Sequence, residues 1–262
     1  DNMIHNINQI KKEIGENTKI MAIVKANAYG HGAIQVSKYL EKNNIDMFAV
    51  AIAEEALELR QNGIESDVLI LGYLEEEYAE DMINNNIIQT IFRYEDACKL
   101  SSIAKRLGKT AKIHIKIDTG MNRIGFKHND GTIKDIKRIN ELEGIEIEGI
   151  YTHLHSADIK DQRISQNQIQ IYEEIVKLLE DQEIYIKTKH ILNSAGAIML
   201  GNEYGENYIR LGIGMYGLNP SNEVEVSNLK PVMEFKTKVI HLKELEKGET
   251  IGYSGAYEAK EK

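Results

Sequence analysis

Eight short apolar runs, each set off from the next by a helical stretch, restrict this chain more than any other feature. They lie at residues 20–26 (IMAIVKA), 46–53 (DMFAVAIA), 67–74 (DVLILGYL), 87–92 (IIQTIF), 112–119 (KIHIKIDT), 145–154 (IEIEGIYTHL), 185–192 (YIKTKHIL) and 207–217 (NYIRLGIGMYG). The stretches between them, such as AIQVSKYLEKNN and ISQNQIQIYEEIVKLLEDQ, repeat apolar residues at helical spacing, and several end on Gly or Asn. In the helix over 54–63, Ala56, Leu57 and Leu59 form the apolar side and Gly63 the stop. Strands that are apolar nearly throughout, separated by helices, call for a parallel sheet covered by helices. Eight such units over residues 1–218 predict an α/β fold of the (β/α)8, TIM-barrel type. The rival is a doubly wound open sheet. That fold wants a glycine-rich phosphate turn after its first strand, and KANAYGHG is not G-x-G-x-x-G.

The ends of the chain read differently. Residues 1–15, DNMIHNINQIKKEIG, place Ile4, Ile7, Ile10 or Lys11, and Ile14 on one side of a helix. The pattern starts without a methionine, so a preceding segment is expected to have been removed. Beyond Leu218, Pro220 and Pro231 mark a linker over 219–233. The alternating, glycine-punctuated KTKVIHLKELEKGETIGYSGAY then reads as the beginning, over 234–262, of an all-β domain cut short at Lys262. So short a piece cannot bury a core of its own.

The net charge of −9 over 262 residues gives no electrostatic reason to expect nucleic acid or an anionic membrane as partner. No apolar run approaches the roughly 18 residues of a membrane span, and no signal segment opens the chain. The single cysteine, Cys98, excludes an internal disulfide and fits a reducing, cytoplasmic setting. Its helical context, YEDACKLSSIAKRLG, predicts an inert core thiol. No metal-ligand pattern is present.

In a barrel of this kind, ligand groups gather at the C-terminal ends of the strands. Lys25 ends the first strand and Tyr29 follows four residues on; Lys116 lies in the fifth strand, with Arg123 in the DTGMNRIGF after it. His153 ends the sixth strand, Asn193 and Ser194 follow the seventh, and Arg210, Gly212 and Ile213 close the eighth. Each has a plain structural reading: a solvated lysine, a satisfied histidine, an ion-paired arginine, a helix N-cap at Ser194. Independent accidents would scatter over both rims, whereas these fall on one. The loops after strands 7 and 8 are the usual phosphate site of such barrels. A phosphate held there and an amine at the end of strand 1 suggest pyridoxal 5'-phosphate, which offers a phosphate and an aldehyde.

VKANAYGHG resembles the lysine signature of the alanine racemase family, the barrel-type (fold type III) pyridoxal-phosphate enzymes. KIDTGMNRIGF, YTHLHSAD, NSAGAIM, RLGIGMYG and IGYSGAY resemble the family's later motifs in order and spacing. The resemblance implies an isomerase interconverting L- and D-alanine by a two-base mechanism, in the cytoplasm, as a homodimer with shared active sites. It implies Lys25 as the lysine bonded to the cofactor aldehyde, and Tyr29, Ser194 and the backbone of Gly212 and Ile213 as phosphate contacts. Arg123 matches the arginine near the substrate carboxylate, and Lys116 the lysine, often carbamylated, that orients it. Arg210 matches the arginine under the pyridine nitrogen, supported by His153 and flanked by Asn193. Tyr253 matches the second base, reaching the partner's barrel. The family's opening W-x-E-I-x-L strand and most of its second domain are missing, so the chain as it stands is expected to bind cofactor yet turn over weakly. Leu211 stands where the family has a small residue or proline. The alternatives are a non-racemising pyridoxal-phosphate carrier, a degenerate sensor barrel, and a serine or broad-specificity racemase.

Overall fold

The eight apolar runs form eight strands: β1 (Lys19–Ile23), β2 (Met47–Val50), β3 (Asp67–Ile70), β4 (Ile87–Ile91), β5 (Ala111–Asp118), β6 (Ile145–Tyr151), β7 (Thr188–His190) and β8 (Tyr208–Leu211). Each pairs in parallel with the next, and β8 pairs back onto β1 with Met21 opposite Arg210, closing a (β/α)8 barrel. This computed structural model describes residues 1–15, 17–204, 206–223 and 228–262. The chain divides into two compact units, Asp1–Val232 and Met233–Lys262.

The strands stop earlier than the apolar runs do. β6 ends at Tyr151, β7 keeps three residues, and the run expected to extend to Gly217 leaves the sheet at Leu211. Val24, Ile191 and Leu192 are fully buried beyond their strand ends, so apolar character here marks loops folded over the barrel mouth. The helices include α1 (Asn2–Ile10), α2 (Ala33–Glu41), α3 (Ala53–Gln61), α4 (Ala79–Asn84), α5 (Tyr94–Leu107), α6 (Asp130–Asn140), α7 (Arg163–Glu180) and α8 (Ser194–Tyr204). None of the described helices is long and apolar enough to cross a membrane. Cys98, expected in the core, is only partly buried on α5.

α1 buries Ile7 and Ile10 as expected, with Met3 and Asn6 beside them and Ile4 partly buried against the core. The Asn6 amide donates to the carbonyls of Met215 (3.1 Å) and Lys230 (2.8 Å) and its oxygen accepts from Lys230 N–H (2.7 Å). Those bonds hold the segment around residue 230 on the barrel unit.

Outward-facing strand residues such as Ile20, Phe48, Val68, Ile113 and Ile150 form the layer between barrel and helices. Burial of each such side chain contributes about 1.5–3 kcal/mol. The barrel interior is split. On the β1–β4 side it is mainly apolar, filled by Met21, Ile23, Met47, Ala49, Leu69 and Ile88, with Thr90 of β4 reaching the Tyr151 hydroxyl at 2.9 Å. On the β5–β8 side it holds His114, Lys116, Tyr151, His190 and Arg210, all buried.

In Met233–Lys262, Thr250–Ile251 pairs antiparallel with Tyr257–Glu258. Ala259 is the only buried apolar residue described there, while Phe235, Ile240 and Leu242 are exposed.

Candidate active site

A cavity of about 500 Å³ opens at the C-terminal ends of the strands. The ten barrel residues singled out in the sequence all line it: Lys25, Tyr29, Lys116, Arg123, His153, Asn193, Ser194, Arg210, Gly212 and Ile213. Tyr253 belongs to Met233–Lys262 and is fully exposed there.

Lys25 opens a turn that few sequences could hold. Ala26, Asn27, Ala28 and Tyr29 all have positive φ, between 51° and 54°, followed by Gly30 at 86°. Four consecutive L-residues in left-handed geometry cost about 4–8 kcal/mol together. Several contacts offset that cost. The Glu55 carboxylate accepts from the N–H groups of Ala26 (2.5 Å) and Ala51 (2.7 Å), tying this loop to the one after β2. Asn27 Oδ1 caps α2 through Ala33 N–H at 2.8 Å. Beneath the turn, Tyr216 donates to the Ile23 carbonyl (3.0 Å) and packs against the rings of Tyr29 and His31. Glu55 and Tyr216 escaped sequence reading, since an acidic residue early in a helix and a buried tyrosine are both ordinary. Glu55→Ala is expected to lower stability to urea by about 3 kcal/mol, the worth of two charge-assisted hydrogen bonds. An unchanged urea midpoint would show that the turn holds itself.

Burial lowers the proton affinity of the Lys25 amine, and the Arg123 guanidinium lowers it further, against an opposing pull from Glu55. An amine so placed is more nucleophilic near neutral pH than a solvated lysine. Lys116 is almost wholly buried, its Nζ 4.5 Å from the Tyr151 ring centroid. Burial first, then the charges of Arg210 and Arg123, hold it well below the usual lysine range. Arg123 sits on a loop shaped by Asp118, whose carboxylate accepts from Gly120 and Asn122 N–H, both at 3.0 Å. Gly125 closes that loop: a Cβ there would stand 2.5 Å from the Asp118 backbone nitrogen. Among the described residues Arg123 has no hydrogen bond or ion pair of its own.

Asn193, not Ser194, caps α8: its Oδ1 accepts from Gly196 N–H at 2.9 Å and its Nδ2 donates to the Leu154 carbonyl at 3.2 Å. Ser194 is thereby released to reach the loop after β8, where its hydroxyl oxygen accepts from the N–H groups of Gly212 (3.0 Å) and Gly214 (3.3 Å). A Cβ on Gly212 would lie 3.3 Å from the Tyr29 hydroxyl, so side-chain hydroxyls and backbone donors converge on one small volume. An anion with several oxygens is the ligand that such a cluster suits.

Arg210 crosses the cavity floor fully engaged at its two terminal nitrogens. Nη1 donates to His190 Nδ1 (2.8 Å) and to the His190 carbonyl (3.0 Å). Nη2 faces the Thr152 and Ile191 carbonyls, both at 2.7 Å, and His153 Nδ1 at 3.1 Å. Among the described residues its Nε–H has no acceptor. Burial, then the charges of Arg210 and the neighbouring cations, pushes His153 down to about 2, so the ring is neutral and accepts from arginine. Burial also lowers Arg210, to about 10, which leaves it a cation at neutral pH.

The family described as "alanine racemase, N-terminal domain" matches residues 1–220. Alanine racemase 2 of Caldanaerobacter subterraneus subsp. tengcongensis is 43% identical over 98% of this chain and 66% of its own length. Alanine racemase of Methanococcus maripaludis is 43% identical over 98% of this chain and 69% of its own. The solved structure of alanine racemase from Clostridium difficile 630 superposes with a TM-score of 0.94 at 41% identity, covering 99% of this chain and 68% of that one. The chain therefore spans about two thirds of the length of these relatives. On the match across its whole barrel, and on identity of this order, the chain belongs to the alanine racemase family.

Proposed function

We propose that this chain is the cofactor-binding part of a cytoplasmic, homodimeric isomerase that interconverts L- and D-alanine with pyridoxal 5'-phosphate. The observation that carries the reading is the single cavity in which a desolvated amine, an anion cradle and two arginines meet.

The residues fit that cofactor. A cavity of about 500 Å³ is of the size that encloses a small ring with a phosphate tail. Lys25 would hold the aldehyde end. Tyr29, Ser194 and the backbone N–H groups of Gly212 and Ile213 would hold the phosphate, and the Nε–H of Arg210 would face the ring nitrogen. When bound, the cofactor supplies a conjugated ring that delocalises the electron pair left at the substrate α-carbon.

Arg123, unpaired among the described residues, binds the substrate carboxylate and fixes which way the α-proton points. The Lys25 amine would take that proton on one face. Tyr253 of a second copy delivers a proton to the other face, which completes inversion. Arg210 keeps its own proton and so leaves the ring nitrogen without one, which limits electron withdrawal and restrains side reactions such as transamination. Burial, which holds Lys116 well below the usual lysine range, suits it to carbamylation: its unprotonated nitrogen would bond the carbon of CO₂ and lose a proton, giving an anion beside Arg123.

The test is the full-length protein incubated with the cofactor and L-alanine or L-serine. A visible absorption band trapped by borohydride on Lys25, with D-alanine formed in preference to D-serine, is the expected result. Trapping on another lysine, or a colourless protein, overturns the cofactor assignment. Cofactor bound without either D-amino acid identifies a carrier.

A further inference from the structure

The mechanism above uses Arg210 but not the line of buried groups behind it. His190 Nε2 lies 3.0 Å from His114 Nδ1, and His114 Nε2 lies 3.7 Å from Glu148 Oε2. His114 and His190 are completely buried. Among the described residues, His114 Nε2 and Glu148 Oε2 are both shut off from solvent with no hydrogen-bond partner but face each other. The other Glu148 oxygen is 3.3 Å from Lys112 Nζ. Glu148 also lines a separate cavity of about 260 Å³, with Lys19, Asp67 and Tyr208, at the N-terminal ends of the strands. The line therefore runs through the barrel from one mouth to the other.

Two features of β6 look built for it. The pairing register slips so that Ile113 faces Ile147 but His114 faces Gly149, which leaves Glu148 as the extra residue of a bulge. A bulge re-aims a side chain that strict alternation would send elsewhere. Gly149 makes room: a Cβ there would sit 2.5 Å from the His114 ring.

The hydrogen positions along the line follow from chemistry. Arginine only donates, so His190 Nδ1 must accept. Burial keeps His190 and His114 neutral. The single His190 proton is therefore on Nε2 and is donated to His114 Nδ1, which places the His114 proton on Nε2, facing the Glu148 carboxylate. Every donor points the same way, from the cation to the anion.

We propose that Glu148, His114 and His190 are positioning residues: Glu148, at the opposite mouth, orders the two imidazoles so that Nη1 of Arg210 is held by the protein and the Nε–H is left for the ligand. The inference rests on the racemase reading for its consequence in turnover but not for the arrangement itself.

The experiment uses the full-length protein with ¹⁵N-labelled histidine rings, first free of cofactor. Long-range proton–nitrogen spectra are expected to show both His114 and His190 protonated on Nε2 alone. Glu148→Leu should shift the resonances of His114 and also those of His190, which Glu148 does not touch. Glu148→Gln, which keeps the shape and an acceptor oxygen, should shift them in the same sense by less, and it decides the matter if the leucine variant does not fold. With cofactor and L-alanine, Glu148→Leu should lower kcat about tenfold with KM changed less than about twofold, as loss of one charge-assisted contact predicts. Either ring protonated on Nδ1, or His190 resonances unmoved in the variants, overturns the proposal. A wild-type protein that racemises nothing refutes the proposed function, while the imidazole spectra still decide this arrangement.

Discussion

Lys25→Ala in the full-length protein is expected to lower alanine racemisation by at least about 10³-fold, the scale of losing a positioned acid–base group together with the covalent hold on the cofactor. No neighbouring amine can take over. Lys116 lines the same cavity, but it is buried against the Tyr151 ring with Arg210 and Arg123 around it. Tyr253→Phe should also be nearly inactive, for a different reason: it keeps the cofactor but lacks the proton donor on the second face. Mixing the two variants under conditions that exchange subunits tests both assignments at once. Half of the randomly formed dimers pair one variant with the other, and each mixed dimer has one complete site, so about a quarter of wild-type activity returns. Recovery of that size, read as D-alanine formed per unit time, supports a tyrosine acting across two chains. No recovery, with dimers present, would place both groups in one chain or remove Tyr253 from the reaction.

The barrel was legible because burial on both faces makes its strands apolar without interruption, and the rim residues were legible because they follow those strands. The polar half of the interior was not. In β5, KIHIKID alternates charged or polar residues with isoleucine, a pattern that ordinarily marks a strand with one wet face. Here the isoleucines face the helices and His114 and Lys116 face inward, so both rows are buried and neither face is wet. His190, the last residue of KTKH, hid in the same way. The left-handed turn was invisible for a different reason: Ala26 and Ala28 carry no signal for positive φ, which is supported by contacts of residues such as Glu55, Asn27, His31 and Tyr216. The bulge at Glu148 depends on a register that no local pattern encodes. What the sequence could not show was therefore mostly the support beneath the site rather than the site's own rim.

The same buried imidazoles predict a steep loss of stability in mild acid. His114 and His190 are held below the ordinary histidine range by burial first; Arg210 lowers His190 further, while Glu148 opposes the shift at His114. His153 is held down to about 2. A histidine whose proton affinity is depressed on folding costs nothing above its unfolded pKa of about 6.5. As pH falls below that value the unfolded chain gains a proton that the native ring refuses, so stability drops by up to about 1.4 kcal/mol per pH unit for each ring. His153 alone weakens the fold by about 1 kcal/mol between pH 7 and 5.5, and His114 and His190 add to that loss in the same direction. Glu206, whose carboxyl burial pushes upward, opposes that loss in part above the ordinary carboxylate range. Urea denaturation of the cofactor-free protein across this window should therefore report uptake of more than about one proton on unfolding near pH 5.5. His114→Gln should reduce that uptake while leaving the acid limb below pH 4, where carboxylates dominate, in place. Uptake below one proton in the wild type would mean that the rings accept protons in the native state. The one-way order of donors from Arg210 to Glu148 would then be lost in acid, because a doubly protonated imidazole has no nitrogen left to accept from arginine.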